Sequence, residues 1–234
     1  MVYLFLQQIY FRLKGSIKYL PWVGKLLVLL GIYLIVEYIF ALMAVEIINA
    51  IFPGMDFLHF ITGFEKIKSV QEVTLDQEHA IKIYQFATSL GRFIFVAWFF
   101  VYLCGDNFLA SVSLNKNIQS VSYGTVILIV MASGAIISLI HDWNQHLHLP
   151  SSMAEMESQM RSLEQQAKIQ TEVFLRTTTI GGFLLNILII GLLAAVGEEI
   201  FFRGVLQNIF FRGIGNAHIA IWSSAFLFSF IHFQ

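Results

Sequence analysis

The chain has 234 residues, of which 57% are hydrophobic and only 12% are charged, and its formal net charge is −1. A soluble domain has about 25% charged residues, so this composition excludes an ordinary water-facing surface, and the near-neutral charge gives no reason to expect nucleic acid as a partner. Apolar runs long enough to cross about 30 Å of hydrocarbon recur along the chain. The sequence therefore predicts an all-α, polytopic transmembrane helical bundle surrounded by membrane lipids.

The N-terminal part of the chain predicts an interfacial segment followed by three spans. Residues 1–25 carry their basic residues after a short apolar stretch, which is the reverse of the order in a cleaved signal peptide, so we interpret them as an amphipathic segment at the membrane interface. Spans are expected at about residues 26–50, 83–104 and 121–140. The stretch 52–82 contains Pro53, Gly54 and several charges and predicts an aqueous or interfacial loop.

Residues 151–176 differ from the rest of the chain in being rich in Glu, Gln and Met. Their apolar side chains recur at spacings of 3, 4, 3 and 4, which predicts an amphipathic helix that lies on the membrane surface or packs on the bundle. The members of this stripe are Met153, Met156, Met160, Leu163 and Ala167.

Two further spans are predicted, one at about residues 180–202 and one that begins near Ala217 and is still apolar at Gln234. About five spans are thus visible, and because no polar tail or interfacial anchor follows the last one, we expect the sequence to be C-terminally truncated. No internal repeat or linker is found, so residues 1–234 are predicted to form a single membrane domain. It consists of spans and loops (1–150), the amphipathic surface helix (151–176) and a C-terminal part (177–234).

The basic residues near the N-terminus decide the expected orientation. Cytoplasmic loops carry an excess of Lys and Arg, so the basic residues before the first span favour a cytoplasmic N-terminus. These residues are Arg12, Lys14, Lys18 and Lys25. We therefore expect a multi-pass protein of the cell (inner) membrane with this orientation.

Charged residues interrupt the fourth span at Glu198, Glu199 and Arg203. An ionised side chain at bilayer depth costs at least about 2.5–3.5 kcal/mol, so some interaction must offset that cost. Glu199 and Arg203 are four residues apart on one helix face and can form an ion pair, whereas Glu198 points one step round the helix and lacks such a partner.

A histidine, His232, lies in the fifth span on the same predicted helix face as Ser224 and Phe228. A neutral imidazole inside a bundle is a good base or metal ligand, and a carboxylate from the preceding span is its expected partner. The alternative is that His232 and the three charged residues form a buried cluster that only specifies helix packing. Two acids, an arginine and a histidine on consecutive spans favour a functional site.

Two acids of the first span admit other interpretations. Glu37 lies near the middle of the span, where it either lines the same cavity or pairs with Arg92. Glu46 lies near the end of the span and is expected to be solvated at the interface.

The remaining polar residues are assigned structural roles. The cluster "HDWNQHLHLP" invites comparison with a zinc site, but His146 and His148 would lie on opposite sides of any regular path and no cysteine joins them, which disfavours a metal there. Asn186 is expected to form an interhelical hydrogen bond. The expected interfacial residues are Asn216 and His218, and Cys104 is expected to be a small buried side chain.

The motif "EEIFFRG", followed about thirty residues later by "FSFIH", resembles the CAAX prenyl endopeptidase and bacteriocin-processing (CPBP or Abi) family of intramembrane proteases. The resemblance covers about residues 180–234, so that 177–234 would be part of the protease core. It implies that Glu198 and His232 bind and activate the attacking water, while Glu199 and Arg203 orient that pair and hold the helix. The implied substrate is a lipid-modified or membrane-associated peptide.

The cofactor requirement stays open at this stage. The resemblance is compatible with a divalent metal such as zinc and also with a metal-free mechanism. One glutamate and one histidine are too few for a zinc site, which takes three protein ligands and a water. The family pattern continues with another His, typically with Asn four positions later, which would stabilise the oxyanion; this sequence ends before such a motif.

Two other functions remain as alternatives. One is a non-catalytic bacteriocin-immunity or scaffold protein that binds its partner through the helix at 151–174. The other is a proton-coupled transporter, for which intramembrane acids, arginine and histidine are also expected. A transporter of that kind predicts internal pseudo-repeats, and the sequence has none.

Overall fold

The computed structural model describes residues 13–112, 120–177 and 179–232. The predictions that concern residues 1–12 and Gln234 lie outside these ranges. The described residues form eight α-helices, three short 3₁₀ turns and no strand. The helices are α1 (Trp22–Ile51), α2 (Phe57–Thr62), α3 (Leu75–Cys104), α4 (Phe108–Ser111), α5 (Ser120–Gln145), α6 (Ala154–Leu175), α7 (Ile180–Ile214) and α8 (Ala217–Ile231).

Four of these helices, α1, α3, α5 and α7, are long and apolar enough to cross a membrane, and α8 is a shorter apolar helix. A 30-residue helix such as α1 is about 45 Å long, which exceeds the thickness of the hydrocarbon core. The fold therefore confirms the prediction of a polytopic, all-α membrane bundle, with five apolar helices in the described part of the chain.

The described chain divides into two compact units. The first comprises residues 13–112 together with the described residues from 166 to 232, and the second comprises residues 120–165. The grouping of residues 1–234 into a single membrane domain stays a prediction.

The loop prediction for residues 52–82 is wrong over part of its length, because α2 occupies Phe57–Thr62 and α3 begins at Leu75. A capping box starts α3: the Thr74 hydroxyl accepts from the Gln77 N–H at 3.3 Å, and the Gln77 side chain accepts from the Thr74 N–H at 2.9 Å. The Thr-x-x-Gln pattern is a sequence signal for a helix start, and it outweighs the charges that follow it.

The end predicted for the fourth span, Phe202, is also wrong, because α7 continues to Ile214. A helix ends where its last carbonyls find a cap, and the first such residue is Gly215, whose φ of 76° is left-handed. Asn216 then starts α8 by accepting hydrogen bonds from the N–H groups of His218 and Ile219. Two residues thus join α7 and α8 into an antiparallel hairpin.

Two of the three long helices of the first unit contain π-helical turns, at Leu90–Phe95 in α3 and at Ile187–Leu193 and Glu199–Leu206 in α7. Such turns are frequent at functional sites. The turn in α3 packs against the turn at Glu199–Leu206 of α7, because the ring centroids of Phe93 and Phe201 lie 6.0 Å apart. A β-carbon on Gly197 would lie 3.0 Å from the Phe93 side chain, so a glycine at this position permits the close approach of α3 and α7.

An ion pair joins α1 to the π-helical turn of α3. The guanidinium of Arg92 donates from Nε to Glu37 Oε2 at 2.8 Å and from a second nitrogen to the other carboxylate oxygen. Of the two interpretations of Glu37, pairing with Arg92 is therefore confirmed. The bidentate geometry neutralises two charges on helices that cross the apolar region.

A buried ionic cluster, which sequence patterns did not reveal, ties α3 to the C-terminal end of α6. Glu78 and Lys82 are 4% and 3% exposed and pair at 2.8 Å. Arg176 donates to Glu78 at 2.8 Å and to the backbone carbonyls of Val70 and Val73. These contacts hold together three parts of the chain: the segment before α3, the start of α3 and the residues after α6.

The helix predicted at 151–176 is present as α6, but the stripe that predicted it is not its buried face. Met153, Met156 and Leu163 are exposed. Within the first unit, the helix packs through Ile169, Val173 and Phe174, a cluster that also includes residues of α1, α2 and α3. The spacing of 3 and 4 residues thus predicts a helix correctly without fixing which residues are buried.

The second unit is organised around Glu157 of α6. Its carboxylate accepts from Arg161 at 2.7 Å and from the Leu149 N–H at 2.9 Å, and it lies 3.1 Å from His148 Nδ1. Chiefly through Arg161, these contacts lower the pKa of Glu157 to about 2. They hold the connection between α5 and α6 against the first turns of α6.

The Glu37–Arg92 pair generates a testable prediction. Arg92→Met leaves the carboxylate of Glu37 without its partner among apolar helices, and we expect a loss of stability of about 3 kcal/mol. The double variant Glu37→Gln/Arg92→Met removes both charges and should be more stable than Arg92→Met alone. Thermal unfolding of the three proteins in detergent measures this. If the double variant loses as much stability as the separate effects of the two substitutions combined, or more, a direct pair between Glu37 and Arg92 is contradicted.

Candidate active site

The α7–α8 hairpin brings the two sequence motifs side by side. Glu198, Glu199 and Arg203 lie on α7, and His232 follows the last residue of α8. Because the connection has only two residues, α8 runs back along α7, and residues that are about thirty apart in sequence meet. A cavity of about 240 Å³ lies between the two helices, and Glu198, Glu199 and Phe228 contribute to its walls.

The central contact of this site joins Glu198 to His232. Nε2 of His232 lies 3.6 Å from Oε1 of Glu198, and the two side chains are 44% and 25% exposed. The other ring nitrogen, Nδ1, lies 2.8 Å from the carbonyl oxygen of Phe228. A carbonyl only accepts hydrogen bonds, so Nδ1 carries the proton in that contact. In the neutral imidazole, Nε2 is then an acceptor that faces a carboxylate.

The distance of 3.6 Å between His232 Nε2 and Glu198 Oε1 leaves the pair without a direct hydrogen bond. A direct N–H···O hydrogen bond spans about 2.7–3.2 Å. Two acceptors at this distance do not satisfy each other, and a polar contact of this length invites a bridging water. The pair therefore has the geometry to hold a molecule that donates two hydrogen bonds.

The side chain of His232 is held by aromatic contacts as well as by its carbonyl partner. Its ring lies 4.4 Å from the ring of Phe228, and Phe228 meets Phe202 of α7 edge to face at 5.1 Å. Edge-to-face pairs are favoured by the ring quadrupoles and contribute about 0.5–1.5 kcal/mol beyond burial. The Phe-x-x-x-His motif thus places one aromatic ring between the histidine and α7.

A hydrogen bond from α8 is accepted within the third π-helical turn. The carbonyl of Phe202 accepts the N–H of Gln207, five residues later, and also the hydroxyl of Ser224 at 3.1 Å. Ser224 is 4% exposed. Because the π-helical turn leaves carbonyls with unusual partners, a hydroxyl from the neighbouring helix fixes both the turn and the register of α8 against it.

Glu199 and Arg203 form the ion pair that their spacing predicts, at 2.8 Å, and their side chains are 55% and 72% exposed. With Gln207 they also line a further cavity of about 560 Å³ on the side of α4. The pair therefore lies between two cavities at the rim of the site, and it does not contact Glu198 through any hydrogen bond found in the described residues.

The other polar residues lie elsewhere. Cys104 is buried, as expected. Asn186 is buried, but its Oδ1 has no hydrogen-bond partner among the described residues, so the interhelical bond expected of it is not made by that atom. Asn216 caps α8. Sequence reasoning missed Gln207, although its position four residues after Arg203 on the same helix face is a usable signal.

The donor set does not fit a zinc site. Within the residues that the structure describes, no three His, Cys, Asp or Glu side chains are close enough to hold a metal ion. Glu198 and His232 supply two donors, while Glu199 is engaged with Arg203. His146 contacts the carbonyl of Asp142, and His148 contacts Glu157, so the histidines near residue 146 do not form a ligand group either.

Fold and site together define a polytopic α-helical membrane protein with an acid–histidine pair, whose acid lines a cavity between two of its apolar helices. Residues 180–234 match the model of the family described as Rce1-like type II CAAX prenyl endopeptidases. This match confirms the resemblance to the CAAX protease and CPBP family over about a quarter of the chain, the part that carries all four site residues. No curated protein and no solved structure matches the chain.

Ser224 gives a test of how the site is held. Ser224→Ala removes the buried hydrogen bond that the Ser224 hydroxyl donates to the Phe202 carbonyl of α7. This loss should destabilise the protein by about 1 kcal/mol. Ser223→Ala is the matched control, because the hydroxyl of this neighbouring serine makes no hydrogen bond in the described residues. Thermal unfolding should separate the two variants. Equal midpoints would show that the Ser224 bond does not hold the hairpin.

Proposed function

We propose that this protein is an intramembrane endopeptidase that hydrolyses a peptide bond of a lipid-modified or membrane-associated peptide. The observation that carries the proposal is the position of His232 Nε2, 3.6 Å from Oε1 of Glu198, a residue that lines a cavity between apolar helices. The family match over residues 180–234 supports the same reaction class. A purely structural cluster would be expected to close such a pair into a direct ion pair.

Glu198 and His232 would act by holding one water molecule between them. Both facing atoms are acceptors, so a water that donates one hydrogen to Oε1 and the other to Nε2 satisfies both. Its lone pairs then point away from the pair, towards a substrate in the cavity. This arrangement fixes the water in an orientation for attack, which removes part of the entropic barrier of hydrolysis.

Hydrolysis would then proceed by general acid–base catalysis. The water oxygen bonds to the carbonyl carbon of the scissile amide as one of its protons passes to Glu198 or His232. Breaking the C–N bond requires a proton on the leaving nitrogen, and the group that took the water's proton returns it there. The products are a carboxylic acid and an amine, with no net change in the protein. Glu198 and His232 carry these proton transfers themselves, because no third ligand completes a metal site with them among the described residues.

Glu199 and Arg203 would act as positioning residues. The carboxylate of Glu199 engages one nitrogen of Arg203, and the rest of the exposed guanidinium is directed to solvent at the rim of both cavities. A pair of this kind stabilises an isolated helix by only about 0.3–0.5 kcal/mol. We therefore assign it to the orientation of the π-helical turn and of Glu198 beside it, rather than to the global stability of the bundle.

The membrane setting limits the substrate. A cavity between helices that cross the bilayer is reached most readily by a peptide that is itself inserted or carries a lipid. We place the protein in the cell (inner) membrane with its N-terminus in the cytoplasm, as its basic N-terminal residues suggest.

Cleavage assays with the purified protein in proteoliposomes and a library of membrane-inserted and lipidated peptides test the proposal. Glu198→Gln keeps the shape of the side chain but removes its basicity, and it should lower kcat/KM by about 10²–10⁴-fold. His232→Gln should have an effect of the same order. The matched control is Glu46→Gln, which changes an exposed acid in the C-terminal part of α1 and should retain activity.

Equal cleavage by the wild type and Glu198→Gln would remove the protease proposal. If neither protein cleaves any peptide but the wild type alone carries protons across the membrane, the transporter gains support. Protection from a bacteriocin that survives Glu198→Gln would instead favour the non-catalytic immunity protein.

A further inference from the structure

A separate cavity of about 260 Å³ lies in the first unit, at the place where α1 begins and α3 and α7 end. It shares no lining residue with the cavity that holds Glu198. We call it the headgroup cavity. Its walls come from the residues before α1, the first turn of α1, the last turns of α3 and the last turns of α7.

Backbone contacts fix the entrance of the headgroup cavity. The segment 13–21 lies across the end of α3, because the N–H groups of Gly15 and Ile17 donate to the carbonyls of Tyr102 and Leu103 at 3.3 and 3.1 Å. On the other side, Trp22 packs against Phe210 of α7 with ring centroids 6.3 Å apart. The cavity is therefore part of the packed first unit.

Three charged side chains line the headgroup cavity, two of them positive. Arg212 donates to Asp106 at 2.8 Å, which leaves most of its guanidinium N–H groups for another acceptor. Lys25 is half-buried, and its ammonium group makes no hydrogen bond or ion pair with any described residue. Lys25, Asp106 and Arg212 all line this one cavity. The lining therefore has a formal charge of +1.

A half-buried lysine without a partner is costly, and an anion would remove that cost. The first N–H groups of α1 add positive potential, because Pro21 provides no side-chain cap there. Arg212 adds a guanidinium that suits the paired oxygens of a phosphate. The chemistry of the cavity is that of a phosphate site.

The surroundings indicate where that phosphate comes from. Apart from the charged groups, the lining is largely apolar and includes Phe100, Val205 and Ile209. The cavity lies at the ends of spanning helices, and Trp22 is a residue typical of headgroup depth. Basic pockets between transmembrane helices bind the headgroups of anionic lipids. We propose that the headgroup cavity binds the phosphate of an anionic phospholipid, with the acyl chains along the apolar wall.

Binding can be measured on the intact protein, independently of any peptidase activity. Native mass spectrometry of the protein in neutral detergent, titrated with phosphatidylglycerol or phosphatidylcholine, counts bound lipids and gives their affinities. We expect one retained phosphatidylglycerol and no retained phosphatidylcholine. Lys25→Gln should weaken this binding about fivefold, the effect of losing one basic residue near an anionic headgroup.

Lys18→Gln is the matched control, because Lys18 is an exposed lysine of the segment 13–21 and does not line the cavity. It should leave the affinity unchanged. Equal weakening by Lys18→Gln and Lys25→Gln would overturn the proposal, since it would show only a general attraction to surface charge. Thermal stabilisation by inorganic phosphate equal to that by phosphatidylglycerol would overturn the assignment to a lipid. Neither result depends on Glu198 or His232.

Discussion

The cost of placing ionised groups on apolar helices is the constraint that organises this structure. On α7, three of the four charged side chains meet an opposite charge at 2.8 Å: Glu199 with Arg203, and Arg212 with Asp106. Glu198 differs, because its facing group is a histidine nitrogen 3.6 Å away that is an acceptor in the neutral imidazole. A carboxylate in this position on an apolar helix needs a further partner, and the proposed reacting water would supply one. The proposed chemistry follows from that exception.

Much of the candidate site could be predicted from the chain itself. Hydropathy predicts the spans, and the helical repeat places Glu199 with Arg203 and puts Ser224, Phe228 and His232 on one face of α8. Gly215 and Asn216 are recognisable as a helix stop followed by a helix start. The predicted end at Phe202 overlooked these signals; once α7 is extended to Gly215, the two-residue connection lets α8 pack back along α7, and Glu198 and His232 meet. The catalytic roles of the four residues stay a prediction.

Other features could not be predicted because they depend on contacts distant in sequence. Arg176 meets Glu78 across 98 residues, and no local pattern announces such a bond. The π-helical turns are also invisible to a repeat of 3.6 residues, although they decide which carbonyl Ser224 meets. The stripe of α6 shows the same limit, since its period predicts a helix but the buried residues are set by the neighbouring elements.

The central claim is that Glu198 and His232 act as one unit on a shared water, and a double-mutant cycle of proteolysis tests it most directly. The rates of the wild type, Glu198→Gln, His232→Gln and the double variant are measured with one membrane peptide in proteoliposomes. Residues that act as a unit are strongly non-additive, so the double variant should be about as slow as the slower single variant. If the increases in activation free energy of the two single variants simply add in the double variant, the two residues do not act as one unit.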